Sequence, residues 1–419
     1  MSHKTTLMVL ICTIVLSACG GGGNANTIPQ VTAAPTTTQA DLNQAYADEL
    51  DLIDEVLRNN HPDLFFNISE SNYLTELEAL KSAVVGESEI NFRLASAKFV
   101  AQIGDQHTYL IIPEPFLKRF PFEIWWDNDK AIITRAGQGY SEYLGFSIET
   151  VDGTDFSSLK DIGMQYLAYQ NNHWKDALSP RYIKYADMLV YEGITASNDS
   201  ATYTLTSHDG VTISLDIPSF DTIEWVEIES THQRPPLYSR SDDNFHLIVE
   251  EDIAYVQYNS AFNTNTYNVD TLISDLNLAL SEQDIEKVVF DLRFNHGGVI
   301  DHFVPVVEFI AQTEYNNSEQ LFVLTGRNSF SSAVGAIYSF KNLSNATFVG
   351  MPTGGKPNGY SRVAGLQLVS ANALYVATDY LEVTSEEVDT FTPDYLTPFT
   401  QADFLQGNDP AISFIRENF

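Results

Sequence analysis

The 419-residue sequence predicts an α/β protein in which a C-terminal sheet-and-helix domain follows a helical bundle and a β-rich middle region. Three observations predict this order. Apolar residues recur at helical spacing between about residues 41 and 103. Short β-like runs separated by Gly, Asp and Ser turns occupy residues 113–240. After residue 240, strand-like and helix-like segments alternate, which indicates a parallel-type sheet covered on both faces.

Composition excludes several classes of function. The 22 Lys and Arg residues stand against 56 Asp and Glu, and the net charge of −34 repels phosphate backbones, so nucleic acid is not an expected partner. Both cysteines, Cys12 and Cys19, lie in the first twenty residues, so the folded part can hold neither a disulfide nor a thiolate metal site. The sequence contains no H-E-x-x-H and no calcium-loop motif, and we expect no metal and no cofactor.

The N-terminus has the charged, apolar and small-residue zones of a secretory signal. Its apolar run, residues 7–16, is too short to span a bilayer stably. The ending Leu16-Ser17-Ala18-Cys19 resembles a bacterial lipobox, which implies cleavage before Cys19 and lipidation of its thiol. The expected location is therefore the bacterial cell envelope, facing the periplasm and attached through lipid to the membrane, with the outer membrane favoured. An ordinary signal peptide with an incidental cysteine remains the alternative.

Composition shifts along the chain give the domain boundaries. Residues 20–39 are rich in Gly, Asn, Thr, Pro and Ala, which is typical of a flexible tether. The predicted segments are a lipoprotein signal peptide at 1–18, a tether at 19–40, a helical bundle at 41–112, a β-rich middle region at 113–240 and the α/β domain at 241–419.

Periodicity predicts the individual elements. Three apolar stripes at helical spacing predict the bundle helices, namely Tyr46, Leu50, Ile53 and Leu57, then Tyr73, Leu77, Leu80 and Val84, then Phe92, Ala95, Phe99 and Ile103. The middle region is predicted to hold strands at 131–134, 202–205 and 212–217 and a helix near 159–169. In the α/β domain the predicted strands are 253–258, 287–293, 321–325 and 346–350, and the predicted helices are 271–280, 302–312 and 332–340.

Unusual residues follow the ends of two predicted strands, where sites form in such sheets. Gly297-Gly298 follows the first strand, and paired glycines allow a sharp turn that points bare N–H groups outward. Ser331 follows the second strand at the start of a helix, where the helix dipole favours negative charge. Serines at a helix start are usually caps, so this position alone does not identify a nucleophile.

A serine hydroxyl becomes a nucleophile only when a base accepts its proton. Two candidate bases are present. Lys356 lies twenty-five residues after Ser331 and could serve if burial lowers its pKa. His107, in the segment Gly104-Asp105-Gln106-His107-Thr108, needs little tuning near neutral pH.

Four stretches in order resemble the tail-specific or C-terminal processing serine peptidases and their tricorn-like relatives. They are Gly104-Asp105-Gln106-His107-Thr108, similar to G-D-x-H-T; Asp291-Leu292-Arg293 with Asn295 and Gly297-Gly298, similar to D-L-R-x-N-x-G-G; Ser329-Phe330-Ser331-Ser332-Ala333, similar to the nucleophile turn; and Gly350-Met351-Pro352-Thr353-Gly354-Gly355-Lys356, similar to G-E-P-T-x-G-K. His61-Pro62-Asp63-Leu64 upstream is also similar to family members. The resemblance extends from about residue 45 to the end.

The resemblance implies a ClpP/crotonase-like catalytic domain in which Ser331 attacks the scissile carbonyl and amides at Gly297 and Ser332 bind the oxyanion. Processing peptidases use a Ser-Lys dyad, which implies Lys356, whereas tricorn-like members use Ser-His with a Glu, which implies His107. Pro357-Asn358 after the lysine favours the tricorn-like branch, with Glu387 as the expected acid.

Residues 144–148 and the turn at 151–153 resemble a PDZ-type peptide-binding module. The leading hypothesis is accordingly a lipid-anchored envelope serine endopeptidase acting on protein or peptide substrates through an acyl-enzyme on Ser331. The alternative is a catalytically silent peptide-binding lipoprotein on the same fold. Acyl-CoA chemistry on a crotonase-type sheet is disfavoured by the secretory signal, because that cofactor is intracellular.

Overall fold

The structure is a computed structural model that describes residues 38–221, 231–232, 243–264, 267–299 and 302–419. The predicted signal peptide, Cys19 and most of the predicted tether lie outside these residues, so the lipid anchor stays a prediction. Within the described ranges, no helix is both long enough and apolar enough to cross a membrane.

The helices are numbered here along the described chain. They are α1 (Gln39–Asn60), α2 (Glu70–Ala83), α3 (Glu89–Ala101), α4 (Leu159–Gly163), α5 (Asn172–Ile183), α6 (Ala186–Tyr191), α7 (Val269–Glu282), α8 (Val304–Ile310), α9 (Ser332–Leu343), α10 (Gln401–Gln406) and α11 (Pro410–Asn418).

The strands are numbered in the same way. They are β1 (Tyr109–Ile111), β2 (Lys118–Arg119), β3 (Phe122–Asp127), β4 (Lys130–Ala136), β5 (Ser147–Val151), β6 (Thr154–Asp155), β7 (Ser200–Thr206), β8 (Thr212–Pro218), β9 (Phe220–Asp221), β10 (Thr231–His232), β11 (Phe245–Glu250), β12 (Ile253–Tyr258), β13 (Lys287–Asp291), β14 (Leu321–Thr325), β15 (Thr347–Gly350), β16 (Gly359–Gln367), β17 (Ala373–Leu381) and β18 (Tyr395–Leu396).

The three helices predicted for the bundle are confirmed as α1, α2 and α3. Each begins after a Ser or Thr whose side chain accepts a hydrogen bond from the N3 amide, and these caps are Thr38, Ser69 and Ser88. Their predicted apolar stripes are largely buried. Helix α1 begins at Gln39, so the last residues of the predicted tether are already helical.

The middle region is a seven-stranded sheet of order β10-β4-β5-β7-β8, in which β3 pairs with β4 and β6 pairs with β5. The three predicted strands are confirmed as β4, β7 and β8. The helix predicted near 159–169 ends at Gly163. Helices α5 and α6 were not predicted, because Pro180 lies inside α5 and neither segment shows a clear apolar stripe.

The α/β domain contains the predicted parallel-type sheet. Its strand order is β11-β12-β13-β14-β15-β18, where β12 to β18 are parallel and β11 is an antiparallel edge strand. Alternate strand residues face opposite sides. Val288 and Phe290 pack beneath α7, α8 and α9, whereas Val289 packs against α11. The predicted α/β class is confirmed, with both faces of the sheet covered.

Two distant parts of the chain join in a small antiparallel sheet. Strand β1, just after the bundle, pairs with β17 of the long β16–β17 hairpin, with Leu110 opposite Leu374. The buried carboxyl group of Glu49 on α1 accepts hydrogen bonds from the amide and hydroxyl of Ser370 at the hairpin turn, at 2.7 and 2.5 Å. One apolar core therefore spans the bundle, the middle region and this hairpin. The predicted boundary at residue 112 marks a change of element type within that core.

A buried ionic network ties the end of β13 to the C-terminal helix. The Arg293 guanidinium donates to both carboxylate oxygens of Asp291 and to both of Asp409, at distances between 2.8 and 3.1 Å. Asp409 also caps α11 by accepting from the amides of Ala411 and Ile412. Arg293 lies two residues before Asn295 and four before Gly297. The network therefore fixes the start of the loop that reaches the candidate site.

Replacing Arg293 by Leu should destabilise the protein by about 3–5 kcal/mol, because two buried carboxylates lose their counter-charge. Urea unfolding measures the change. The matched control is Arg416→Leu, which removes an exposed ion pair to Glu251 of 3.0 Å and should cost less than about 1 kcal/mol. Equal losses for the two variants would contradict the role given to the network.

Candidate active site

Ser331 lies at the turn between β14 and α9 in a strained backbone conformation, with φ 56° and ψ −125°. A non-glycine residue held there costs on the order of 1–3 kcal/mol, and such residues cluster at functional sites. The Ser331 side chain makes no capping hydrogen bond to the helix. The structure therefore does not support the capping interpretation of this serine.

Four hydrogen bonds hold the Ser331 turn in place. The buried Ser329 hydroxyl donates to the Leu292 carbonyl at 2.8 Å and accepts from the Gly326 amide at 3.0 Å. The Phe330 amide donates to the Asn295 carbonyl at 2.9 Å, and the Gly355 amide donates to the Ser329 carbonyl at 2.9 Å. The ends of β13 and β14 and the glycine loop after β15 thus converge on one turn, which can maintain the strain at Ser331.

His107 contacts Ser331 although the two residues are far apart in sequence. Its Nε2 lies 3.0 Å from the Ser331 Oγ, across a separation of 224 residues. The residue next to it, Thr108, accepts from the Ala377 amide on β17 at 3.1 Å and donates to the Asp105 carboxylate at 2.6 Å. The β1–β17 pairing and these bonds aim the imidazole at the hydroxyl.

The surroundings of His107 suit a neutral base. Burial is the largest effect and lowers the imidazole pKa below its ordinary 6.5, while the Asp105 charge and a hydrogen bond to the Tyr360 main chain act in the opposite direction. The ring stacks on Phe330 at 4.6 Å, and Phe330 stacks on Trp174 at 4.3 Å.

The two other predicted catalytic side chains lie apart from this contact. Lys356 lines the same pocket, but its ammonium pairs with Asp389 at 2.9 Å and makes no hydrogen bond to Ser331 among the described residues. Glu387 is exposed and forms no ion pair or hydrogen bond with His107 in the described part of the chain. The structure therefore does not support Glu387 as the acid beside His107; the acid that His107 contacts is Asp105, whose Oδ1 accepts from the His107 amide at 3.1 Å.

The oxyanion assignment changes at one position. The Gly297 amide donates to the Asn295 side chain at 2.7 Å, so it is already used. Within the described residues, the amides of Gly298 and Ser332 have no acceptor. Gly297 is required for a different reason: a Cβ there would lie 2.7 Å from the Ser331 Cβ. Of the two predicted oxyanion donors, Ser332 therefore has an available amide in the described structure and Gly297 does not, and the neighbouring Gly298 amide is a further candidate.

The pocket over the serine is small, and its wall combines the loops after α3, α4 and β15. Besides Ser331 and His107 it is lined by Gln106, Gln170, Lys356, Tyr360, Ser361 and Leu381. No group of three or more His, Cys, Asp or Glu residues in the described ranges is placed to hold a metal ion.

Comparisons with known proteins extend the fold description. Neither a protein-family model nor a curated protein sequence matches the chain. Mature CPAF complexed with lactacystin aligns with a TM-score of 0.61 at 11% identity, covering 90% of this chain and 97% of that one. A serine-to-alanine mutant of CPAF gives 0.63 at 10% identity, covering 90% and 96%.

Lower similarity is found to the photosystem II D1 C-terminal processing protease, with a TM-score of 0.40 at 14% identity, covering 88% of this chain and 98% of that one. At these identities, likeness to the CPAF structures shows a common fold across nearly the whole described chain. The predicted resemblance to the processing and tricorn-like peptidases rests on the sequence motifs, and the comparison adds this common fold.

The rate at which a fluorophosphonate labels Ser331 should depend on neutral His107. Because burial lowers the His107 pKa below 6.5, the neutral base persists into mildly acidic solution, and labelling should fall with a midpoint below pH 6.5. Rates measured between pH 4.5 and 8.5 test this. A midpoint above pH 7 would contradict the described environment.

Gly355→Ala should slow labelling of Ser331 by at least about tenfold, because a Cβ there would lie 2.7 Å from Val334 Cγ2, 2.9 Å from Phe330 Cα and 3.1 Å from the Ser331 amide nitrogen. Gly359→Ala, four residues later at the start of β16, is the matched control, since its Cβ would meet nothing within 4 Å. Labelling rates of the two folded variants give the comparison, and an unaffected Gly355→Ala variant would refute close packing at the turn.

Proposed function

We propose that this chain is a serine endopeptidase that hydrolyses polypeptides through an acyl-enzyme on Ser331. One observation carries the proposal: the 3.0 Å contact between the Ser331 hydroxyl and the His107 imidazole, at a strained helix start where the Ser332 amide has no acceptor among the described residues. A nucleophile, a base and an oxyanion site around one point are what acyl transfer requires.

The geometry assigns a step to each group. His107 Nε2 accepts the Ser331 proton as Oγ attacks the scissile carbonyl carbon. The Ser332 and Gly298 amides then stabilise the negative charge that forms on the carbonyl oxygen. His107 returns its proton to the leaving amine, and a water activated by the same imidazole hydrolyses the ester. The nearby Asp105 charge favours the imidazolium formed between these steps.

Finer assignments of the domains belong to the same proposal. We assign residues 241–419 to a ClpP/crotonase-like catalytic domain, supported by the parallel sheet and by Ser331 at the end of β14. We assign the middle region to a PDZ-like peptide-binding module, supported by strand β5 and the tight turn at Asp152-Gly153, where both residues have positive φ. A peptide segment of a protein substrate bound to this module would be cleaved in the pocket over Ser331.

The proposed location is the bacterial cell envelope, with the enzyme facing the periplasm and held by lipid on Cys19. The support is the sequence Leu16-Ser17-Ala18-Cys19 after the apolar run, followed by a Gly-rich segment of tether composition. The outer membrane is the proposed site of attachment.

Ser331→Ala and His107→Ala should each lower hydrolysis of a denatured polypeptide by about 10⁴-fold or more, because nucleophile and base act as a unit. Lys356→Ala should cost less than about tenfold, since its ammonium pairs with Asp389. Initial rates of the purified proteins provide the measurement. His208→Ala, which removes an exposed imidazole paired with Asp209, is the control.

Undiminished hydrolysis by pure Ser331→Ala would refute the serine assignment, and a large loss confined to Lys356→Ala would restore the Ser-Lys dyad. A wild-type protein that binds peptide but neither cleaves it nor reacts with a fluorophosphonate would establish the silent binder instead.

A further inference from the structure

Three aromatic rings form a series of stacked pairs that ends at the candidate base. The His107 ring stacks on Phe330 with centroids 4.6 Å apart and an angle of 25° between the ring planes. Phe330 stacks in turn on Trp174 of α5, at 4.3 Å and 8°. The catalytic steps proposed above use the imidazole and give the other two rings no role.

Phe330 connects two parts of the protein. Its main chain belongs to the turn between β14 and α9, where its amide donates to the Asn295 carbonyl at 2.9 Å. Its side chain packs in the apolar core that the bundle, the middle region and the β16–β17 hairpin share. The backbone of Phe330 is therefore fixed by the nucleophile turn, whereas the position of its ring depends on what packs against it.

Contacts at the start of α5 fix the position of Trp174. The Asn171 side chain accepts from the Trp174 amide at 2.9 Å and donates to the main-chain carbonyls of Gly354 and Asp389 at 2.9 and 2.8 Å. Gly354 also packs closely against the indole, because a Cβ there would lie 2.4 Å from Trp174 Cε3. The indole is thus held against the glycine loop beside Ser331.

The flat ring of Trp174, and not its polar group, accounts for a tryptophan at this position. The indole N–H is buried and has no acceptor among the described residues, although leaving such a group unpaired costs free energy. The ring plane, by contrast, is almost parallel to that of Phe330. In the described structure neither side chain lines the pocket over Ser331, so neither is placed to touch a substrate.

The orientation of the His107 ring decides whether its Nε2 faces the Ser331 hydroxyl at 3.0 Å. Asp105 fixes the main chain of His107 by accepting from its amide at 3.1 Å, but this bond does not set the ring torsion. The second side-chain torsion of histidine has a broad intrinsic preference, so the groups packed against the ring must select its angle. A misplacement of about 1 Å can lower a rate by about a hundredfold.

We propose that Trp174 and Phe330 are positioning residues for the imidazole of His107. Trp174 holds the Phe330 ring in place, and that ring keeps Nε2 of the imidazole facing the Ser331 hydroxyl. The inference rests on the proposed function, in which His107 is the base. It makes α5 of the middle region a part of the active-site structure.

Two substitutions of Trp174 separate the ring from simple apolar packing. Trp174→Leu keeps the position apolar but removes the flat surface, and we expect kcat for peptide hydrolysis to fall at least about tenfold with KM within about twofold of wild type. Trp174→Phe keeps a ring against Phe330 and removes the unpaired N–H, so it should retain most of kcat. Initial rates over a range of peptide concentrations give both constants.

NMR reads the stack without activity. A proton above the face of an aromatic ring is shifted upfield by the ring current, so the carbon-bound protons of the His107 ring report the position of Phe330. In protein with ¹³C-labelled histidine, the His107 signals are those lost in His107→Ala. We expect an upfield shift in the wild type, a smaller shift in Trp174→Leu and recovery in Trp174→Phe.

The matched control is Tyr46→Leu in the bundle. Tyr46 is buried and stacks on Phe92 at 4.1 Å and 9°, which is nearly the geometry of the Trp174–Phe330 pair. The control should lower the melting temperature but leave kcat and the His107 shift unchanged at temperatures where all variants are folded. Equal losses of kcat in Tyr46→Leu and Trp174→Leu would overturn the proposal, because they would show a general effect of lost packing.

Phe330→Leu decides the matter if thermal melting shows that Trp174→Leu does not fold, since it removes the middle ring with a small change of volume. It should lower kcat at least about tenfold and abolish the upfield shift of His107. Unchanged kcat in the folded variant would overturn the proposal.

Two further results would contradict the positioning role. They are a raised KM with unchanged kcat, which would indicate substrate contact, and slow hydrolysis with an unaltered His107 shift, which would indicate a purely structural effect. A wild-type protein that neither hydrolyses peptide nor reacts with a fluorophosphonate would sink the proposed function alone, since the His107 shift in Trp174→Leu is measured without activity.

Discussion

The pairing of β1 with β17 is the constraint on which the site depends. The imidazole and the hydroxyl of the candidate dyad belong to segments 224 residues apart, and this antiparallel contact anchors the His107 segment where the two groups lie 3.0 Å apart. Glu49 on α1 secures the turn of the same hairpin, because its carboxyl group accepts hydrogen bonds from the amide and the hydroxyl of Ser370. The bundle is thus a structural part of the active site, and its core cannot be separated from that of the hairpin.

A second constraint is the crowding around the nucleophile turn. Ser331 has a positive φ, and the chain maintains this strained conformation by bonding three neighbouring loops to the turn. Gly297 and Gly355 allow that approach, because a Cβ at either position would collide with the turn. The Arg293 guanidinium extends the same order into the interior, where it pairs with the carboxylates of both Asp291 and Asp409.

The pKa of His107 is set by its immediate surroundings, although the whole chain carries a net charge of −34. The imidazole lies in an apolar setting of stacked aromatic rings, so burial outweighs the nearby Asp105 in setting its pKa. Glu387, the acid that the resemblance implied, is exposed and makes no contact with this ring among the described residues.

The sequence by itself determined the α/β class, the three bundle helices, the parallel strands and the motifs around Ser331 and His107, because these follow from local periodicity and from residues that lie close along the chain. Only the tertiary structure showed that His107 contacts Ser331, that Lys356 pairs with Asp389, and that the Gly297 amide is already bonded to the Asn295 side chain. Those outcomes depend on where main-chain groups point and which are already bonded, and that information exists only after distant segments pack together.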